Sequence, residues 1–367
     1  MHVLGCLRCG DLSASTAALA GATLPGAGHH DPEPAAWLAI AHSWHAHATG
    51  AVVMTPATWA TIAEALAALA EAPLAGTFAD AAVAVHGLFA AANLARTSST
   101  SHDEPDMHLT AMPLDGPLPP TAAAWRNLAI RRLIELEQRV WQPAIAAFDS
   151  QRTDEVIGRP LGDDTMTLQP ATPGRLFGSD DRVPRHLANV LMDVSAATGC
   201  NGLAVTTAAA CLGAATRLAD DLARARTFDA LCAAAAHGIA ATDAGAVLDA
   251  TLFAITGAPV AVGVGSDGPW QHFAPWLPPG HTRLSVCNVL VGGARYDLEL
   301  EARDGPLRAA EHDSTAYLAG AARRLCVRLR LLTSGDGMPR IVVIASRDAQ
   351  TVHWLAPGEA FGASLLC

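Results

Sequence analysis

Residues 281–302 read HTRLSVCNVLVGGARYDLELEA, and this stretch decides the fold class. Two runs rich in apolar residues, His281–Val291 and Ala294–Ala302, flank the dipeptide Gly292-Gly293. The commonest two-residue hairpin turn needs a positive φ at both central residues, and glycine adopts that conformation without steric cost. The stretch therefore predicts an antiparallel β-hairpin.

A second hairpin is predicted near the C-terminus. There, Arg340–Ser346 and Gln350–Leu355 are two strand-like runs, and Arg347-Asp348-Ala349 separates them. We expect two further strands, a short one over residues 2–9 and a buried one over 258–265.

Much of the remaining chain carries apolar residues at three- and four-residue spacing, which indicates amphipathic helices. The predicted helices cover residues 11–21, 35–49, 55–72, 78–94, 121–148, 184–198, 202–226, 228–239, 242–255 and Ser314–Leu332. Helices bracket the late strands without regular strand–helix alternation. The predicted fold class is therefore α+β, helix-rich, with antiparallel hairpins concentrated in the C-terminal third.

Proline- and glycine-rich stretches divide the chain into regions. We place the main domain boundary in the proline- and glycine-rich stretch that runs from residue 151 to 184. The prediction is a helix-rich N-terminal region over 1–150, a Pro/Gly-rich connection over 151–184, and an α+β C-terminal region over 185–367.

The composition is apolar, weakly charged and free of lysine. Of 367 residues, 78 are alanine, 51% are hydrophobic and 16% are charged. Such a chain can bury a large core, which excludes disorder as its dominant state. All 24 basic residues are arginine. Arginine without lysine, beside abundant alanine, glycine and proline, points to a GC-rich genome.

The missing lysine excludes several classes of enzyme. A P-loop places a lysine on the nucleotide phosphates, and a protein kinase places one on its third strand. Schiff-base and pyridoxal-phosphate chemistry need a lysine amine, as does the Ser-x-x-Lys nucleophile. The sequence also has no Gly-x-Ser-x-Gly elbow and no His-Glu-x-x-His pair.

The charge balance and the cysteines bear on partners and compartment. A net charge of -11 argues against binding to nucleic acid phosphates, except through a local basic face at 131–132 or 323–330. The N-terminus lacks a basic region followed by a long apolar run, and the alanine-rich stretches are interrupted by Arg, Asp or His. The eight cysteines, mostly single in apolar contexts, read as free thiols. We expect an intracellular protein that does not insert into a membrane.

Cysteines and histidines near the N-terminus form a candidate metal site. Cys6-x-x-Cys9 lies upstream of His42 and His45, which share a face if that segment is helical. Two thiolates and two imidazoles could complete a tetrahedral zinc site. The spacing between the two pairs matches no common zinc finger, so the alternative is a set of interfacial or solvated histidines. We expect no other cofactor.

Three further motifs have simpler explanations. Gly263–Gly268 matches a dinucleotide-binding pattern, but the prolines that follow prevent the helix which that pattern requires. The acidic pair Asp220-Asp221 fits helical ion pairs, Arg217–Asp221 and Asp220–Arg224. Residues 311–313, Glu-His-Asp, suit the start of a helix.

Aromatic residues are concentrated in Gly265–Pro279, a segment that we expect to be irregular. Trp270, Phe273 and Trp276 lie there among prolines, in a chain with 18 aromatic residues of the Phe, Trp and Tyr types. Aromatic side chains anchored in a rigid loop are frequent hot spots of protein interfaces. We predict an interface at these residues; the alternative is a lid over the protein's own core.

Two hypotheses of function follow. The first is a non-enzymatic structural or assembly protein, such as a capsid or capsid-associated component of a GC-rich virus or phage. Its partners would be other protein subunits, in a homo- or hetero-oligomer. The second is a metal-binding enzyme or accessory protein of a GC-rich bacterium that uses the N-terminal His/Cys cluster.

Overall fold

The computed structural model describes twelve stretches of the chain together with three residues near its N-terminus. These are residues 3, 6, 7, 11–22, 32–49, 52–70, 78–100, 121–142, 147–148, 205–240, 243–258, 270–304, 323–334, 337–346 and 350–366. The predicted connection over 151–184 and the predicted helix over 184–198 lie outside them. The glycine motif at residues 263–268 and the Glu-His-Asp motif at residues 311–313 also lie outside them. So does most of the strand predicted over 258–265.

The helices follow the predicted apolar spacing closely. They are α1 (Leu12–Ala20), α2 (Pro32–Thr49), α3 (Pro56–Ala67), α4 (Phe78–Thr100), α5 (Ala122–Val140), α6 (Val205–Arg217), α7 (Asp221–Ala235) and α8 (Ala244–Thr256). Side-chain oxygens of Asp11, Thr55 and Asp220 accept hydrogen bonds from backbone N–H groups in the first turns of α1, α3 and α7. These caps satisfy donors that have no partner within the helix and so fix where each helix begins.

The long helix predicted over 202–226 is interrupted. Ala219 has a φ of 53°, and Asp220 becomes the cap of α7. The predicted pair Arg217–Asp221 spans this break, and the Asp220 carboxylate, predicted to pair with Arg224, accepts from the Ala223 N–H as the cap of α7. The buried Arg224 pairs instead with Asp221, at 3.5 Å.

Two short strands lie between α5 and α6, and the other strands follow α8. The strands are β1 (Trp141–Gln142), β2 (Ala147–Phe148), β3 (Trp270–Phe273), β4 (Arg283–Val291), β5 (Ala294–Asp304), β6 (Arg323–Ser334), β7 (Arg340–Ala345), β8 (Gln350–Leu355) and β9 (Ala360–Leu366). With the helices, they confirm the predicted α+β class and the antiparallel hairpins of the C-terminal third.

Both predicted hairpins are present. β4 and β5 pair in antiparallel register through Gly292 and Gly293, whose φ values are 51° and 76°. β7 and β8 pair likewise. Positive φ at both turn residues explains why two glycines occur there.

Three further predicted elements are wrong. The described residues of the segment 2–9, Val3, Cys6 and Leu7, are helical rather than extended. The helix predicted over 121–148 ends at Val140, and β1 and β2 follow. Within Ser314–Leu332, the residues from Arg323 onward form strand β6.

The error at β6 has a clear physical reason. Leu325, Val327, Leu329 and Leu331 are buried, whereas the arginines between them are exposed. This two-residue period is that of a half-buried strand. The basic residues therefore lie on one face of a sheet and not on one face of a helix.

The strands form two larger sheets that share a core. One sheet has the order β3-β7-β8, with β3 parallel to β7, and the other has the order β4-β5-β6-β9 and is antiparallel throughout. Their inner faces meet in one apolar cluster that includes Phe273, Tyr296, Leu298 and Val342. The result is a β-sandwich of three and four strands.

Helices α6 and α8 connect the helical part to this sandwich. Ala210 and Cys211 of α6 pack into the core formed by α1 to α5. Leu252 and Ile255 of α8 pack into the core of the sandwich. Among the described residues, no helix is both long and apolar enough to cross a membrane.

Candidate functional site

The outer face of the three-stranded sheet carries two exposed tryptophans. Trp270 on β3 lies opposite Ile341 on β7, and Ile341 lies opposite Trp354 on β8. Residues opposite one another in a sheet project from the same face. The two tryptophans therefore share one face, about 10 Å apart, at two interstrand spacings.

A second row extends this surface. It joins His272, Val343 and Val352 in the same order of strands. Trp354 is 67% exposed, Trp270 50% and Val352 49%. We call Trp270, Ile341, Val343, Val352 and Trp354 the aromatic face. Ile341 and Val343 on the central strand β7 are buried, at 8% and 1% exposed, so the exposed apolar part of this face consists of Trp270, Val352 and Trp354 on the two edge strands. Exposed apolar side chains grouped on one face are typical of a binding site.

Strand β8 is also an edge of its sheet. Within the described residues it pairs with β7 alone. Its six residues, QTVHWL, include no Asp, Glu, Arg or Lys and no proline. Edge strands normally carry charges, prolines or bulges that prevent pairing with another chain. The edge strand β4 shows two of these features, since it begins at Arg283 and its register shifts between Val286 and Val289.

Of the three residues predicted to form an interface, Phe273 and Trp276 lie in the protein's own core. Phe273 is 1% exposed and meets the ring of Tyr296 edge-on, with centroids 5.1 Å apart. Trp276 is 9% exposed and meets Phe228 edge-on at 5.7 Å. The guanidinium of Arg224 lies 5.5 Å from the centre of the Trp276 ring.

The segment around these residues is more regular than predicted. Trp270–Phe273 forms strand β3, although the sequence led us to expect an irregular loop. The N–H groups of Ala274 and Trp276 then donate to the carbonyls of Thr256 and Ile255 at the end of α8. These bonds hold Trp276 inside the molecule. Of the three residues predicted to form an interface, Trp270 alone is exposed.

Val352 and Trp354 were not among the interface residues predicted from the sequence. A signal was available, because β8 was predicted as a strand and Gln350, Val352 and Trp354 alternate along it. Which of its two faces is exposed depends on the pairing of β7 with β3. That pairing joins segments about 70 residues apart and is not visible in local sequence.

Of the four predicted metal ligands, His42 and His45 lie close enough on α2 to affect each other's charge. His42 and His45 are both buried on α2, and Cys6 is half-buried. Cys9 lies outside the described residues. His45 Nε2 lies 3.0 Å from the Thr16 hydroxyl, and His45 Nδ1 lies 3.4 Å from the Thr49 hydroxyl. Among the described residues, no group of three or more His, Cys, Asp or Glu could hold a metal ion.

His42 differs from His45 in its surroundings. It is 3% exposed, and neither of its ring nitrogens makes a hydrogen bond of good geometry to a described residue. Burial, with a smaller effect of His45, lowers the pKa of His42 to about 4, whereas the nearby Val53 backbone acts weakly in the opposite direction. His42 is therefore neutral at pH 7 and adds no positive charge to the helical core.

The four-stranded sheet carries a second feature, a charged groove of about 420 Å³ on its outer face. Arg283, Glu299, Glu301, Arg303 and Arg328 line it. Arg303 donates to Glu301 at 2.7 Å. That hydrogen bond is the main cause that lowers the pKa of Glu301.

No known protein family and no curated protein matches the sequence. Among solved structures, the chain is similar to the native α-L-rhamnosidase of Aspergillus terreus, with a TM-score of 0.52 and 8% sequence identity. The match covers 89% of this chain and 38% of the rhamnosidase chain. At this identity the likeness shows a shared fold alone.

Proposed function

We propose that the protein is a non-enzymatic structural subunit that assembles with copies of itself. The observation that carries this proposal is the edge strand β8, uncharged and exposed, with Val352 and Trp354 on its outer face. A shell component of a GC-rich virus or phage is one form that this function can take. The role needs lateral contacts between identical chains, and β8 offers one.

The register of such a contact follows from strand geometry. A twofold axis perpendicular to the sheet keeps the outer faces of both copies on the same side. With the axis through His353, antiparallel pairing places Trp354 opposite the partner's Val352, and the reverse. A cross-strand pair of an aromatic and a β-branched residue stabilises an antiparallel sheet. The two three-stranded sheets would then form one continuous sheet of six strands.

We expect Trp354 to contribute most of the binding free energy of this contact. Trp354 is 67% exposed in the single chain, so most of its surface remains to be buried. Tryptophans buried at the centre of an interface are often worth about 2 kcal/mol or more when truncated. No charged side chain of β8 would have to lose its hydration in the process.

Trp270 extends the proposal beyond a dimer. It lies on the opposite edge strand of the same sheet, two strands away from Trp354. Pairing through β8 leaves Trp270 exposed, so it remains available to a further subunit. Two separate contact regions on one chain allow more than two copies to join, as a shell requires.

The experiment is a measurement of molar mass by size-exclusion chromatography with light scattering. We expect the unmodified chain to elute as a dimer or a larger assembly, with a mass that rises with concentration. Val352→Arg should give a folded monomer, because it places two like charges at the centre of the paired strands. Leu222→Arg is the matched control, since Leu222 is 62% exposed on α7, and it should leave the assembly unchanged.

The likeness to a rhamnosidase does not lead us to propose glycoside hydrolysis. Hydrolysis of that kind commonly uses two carboxyl groups, one of which acts as a general acid with a raised pKa. Glu299 and Glu301 are the two carboxylates of the charged groove, two residues apart on β5. The pKa of Glu301 is lowered by Arg303, which is the opposite of what a general acid needs.

A further inference from the structure

The charged groove has the chemistry of a binding site for a small polar ligand. Its charged residues lie on neighbouring strands in a defined order. Arg283 on β4 is opposite Glu301 on β5, and Glu299 on β5 is opposite Arg328 on β6. Arg328 is in turn opposite Gly362 on β9. Two guanidinium groups thus flank the two carboxylates across about 10 Å, at two interstrand spacings.

Much of the hydrogen-bonding capacity of the groove is unused by the protein. Glu301 is held by Arg303. The side chains of Glu299 and Arg328, although opposite in register, form no ion pair with each other, and neither side chain makes another hydrogen bond to a described residue. A free carboxylate beside a free guanidinium can accept from hydroxyl groups and donate to a carboxylate at the same time.

Gly362 shapes the groove. Position 362 lies opposite Arg328 and so belongs to the same face of the sheet. Gly362 lines the groove without filling it, because it has no side chain. A Cβ at this position would meet the Val327 carbonyl oxygen at 3.8 Å, which is ordinary contact. A larger side chain would therefore enter the groove without strain in the backbone. Its absence leaves space beside Arg328 for a ligand.

From this arrangement we propose that the groove binds an acidic saccharide, a short chain of sugars that bears both carboxylate and hydroxyl groups. Arg283 and Arg328 would hold carboxylates, and Glu299 would accept from hydroxyls between them. With three arginines and two glutamates, the groove has a net charge of +1, which favours an anion over a neutral sugar. The groove and strand β8 are on different sheets, so this inference is independent of the assembly proposed above.

The experiment is isothermal titration calorimetry of the full chain with trigalacturonate. We expect binding with one site per chain. Maltotriose, which has the hydroxyls without the carboxylates, should bind at least about tenfold more weakly. Glutarate, which has carboxylates without the sugar hydroxyls, should also bind at least about tenfold more weakly.

Variants locate the site. Arg328→Gln, Glu299→Gln and Gly362→Leu should each weaken binding of trigalacturonate by about tenfold or more. Arg330→Gln is the matched control, because Arg330 is exposed on the same strand and does not line the groove. It should leave the affinity unchanged, and circular dichroism should show all four variants folded.

Three outcomes would overturn the inference. One is the absence of heat from trigalacturonate at millimolar concentration. Another is equal affinity for glutarate, which would mean that a basic patch attracts any anion. The third is an equal loss of affinity in Arg330→Gln and Arg328→Gln, which would place the binding outside the groove.

Discussion

His42 makes the free energy of unfolding sensitive to acid. Burial lowers the pKa of its ring to about 4 in the folded chain, against about 6.5 when the ring is in water. The folded state therefore disfavours the protonated ring. As the pH falls below about 6.5, the unfolded state takes up the proton first and is stabilised. Stability contributed by His42 is thus fully present above this pH and is lost towards pH 4.

The magnitude follows from the two pKa values. The whole difference is worth about 3 kcal/mol, of which about 2 kcal/mol is lost between pH 7 and pH 5. His86 on α4 should add to the loss in the same direction, because burial lowers its pKa to about 4 as well. The assay is urea denaturation followed by tryptophan fluorescence at pH 7, 6 and 5.

The substitution His42→Leu isolates the contribution of His42. At pH 7 it should leave the free energy of unfolding unchanged or raise it, because it removes two buried ring nitrogens that make no hydrogen bond of good geometry to a described residue. Between pH 7 and pH 5 it should lose about 2 kcal/mol less than the unmodified chain. His45→Leu is the matched control. It should cost about 1–3 kcal/mol at pH 7, since it leaves Thr16 and Thr49 without their ring partner.

One result would refute this reasoning. If His42→Leu costs several kcal/mol at pH 7 and leaves the dependence on pH unchanged, the His42 ring has a partner that stabilises it. A zinc ion held by His42 would show itself in the same experiment, because the metal content of the purified chain would fall with the substitution.

Two further predictions concern the sandwich. Trp276→Ala should destabilise the chain by about 3–5 kcal/mol in urea denaturation, whereas Trp270→Ala should stay within about 0.5 kcal/mol, because one ring is buried and the other is half exposed. Equal costs would mean that Trp270 belongs to the core. Gly292→Ala should destabilise the β4–β5 turn by at least about 1 kcal/mol, since its φ is 51° and a Cβ would lie 2.1 Å from the Gln271 amide oxygen. An unchanged urea midpoint would show that the turn can adopt another conformation.

How much of the fold the sequence predicts depends on how local each signal is. The hairpin of β4 and β5 could be predicted because Gly292 and Gly293 fix the turn by their own conformational freedom. The start of α3 could be predicted because Thr55 caps it within three residues. Strand β6 could not be predicted in this way. Its leucines fit a helical and an extended period almost equally well, and its pairing with β5 and β9 decides between them.

The candidate surface was predicted in part for the same reason. The aromatic residues around Trp270 were recognised from their concentration in one segment. The sequence did not show which of them are buried and which are exposed. Phe273 points inward because β3 alternates, and Trp276 is held by the end of α8. Trp354 and Trp270 lie on one face because β7 pairs with both β3 and β8. The pairing of β3 with β7 connects distant parts of the chain.

The claim that β8 pairs with a second copy is tested most directly by amide hydrogen exchange at two protein concentrations. We expect amides within Gln350–Leu355 to exchange more slowly at the higher concentration, while those of the edge strand β4 do not change. Val352→Arg should abolish the difference. Exchange in β8 that is independent of concentration, in a chain that nevertheless forms oligomers, would contradict the account.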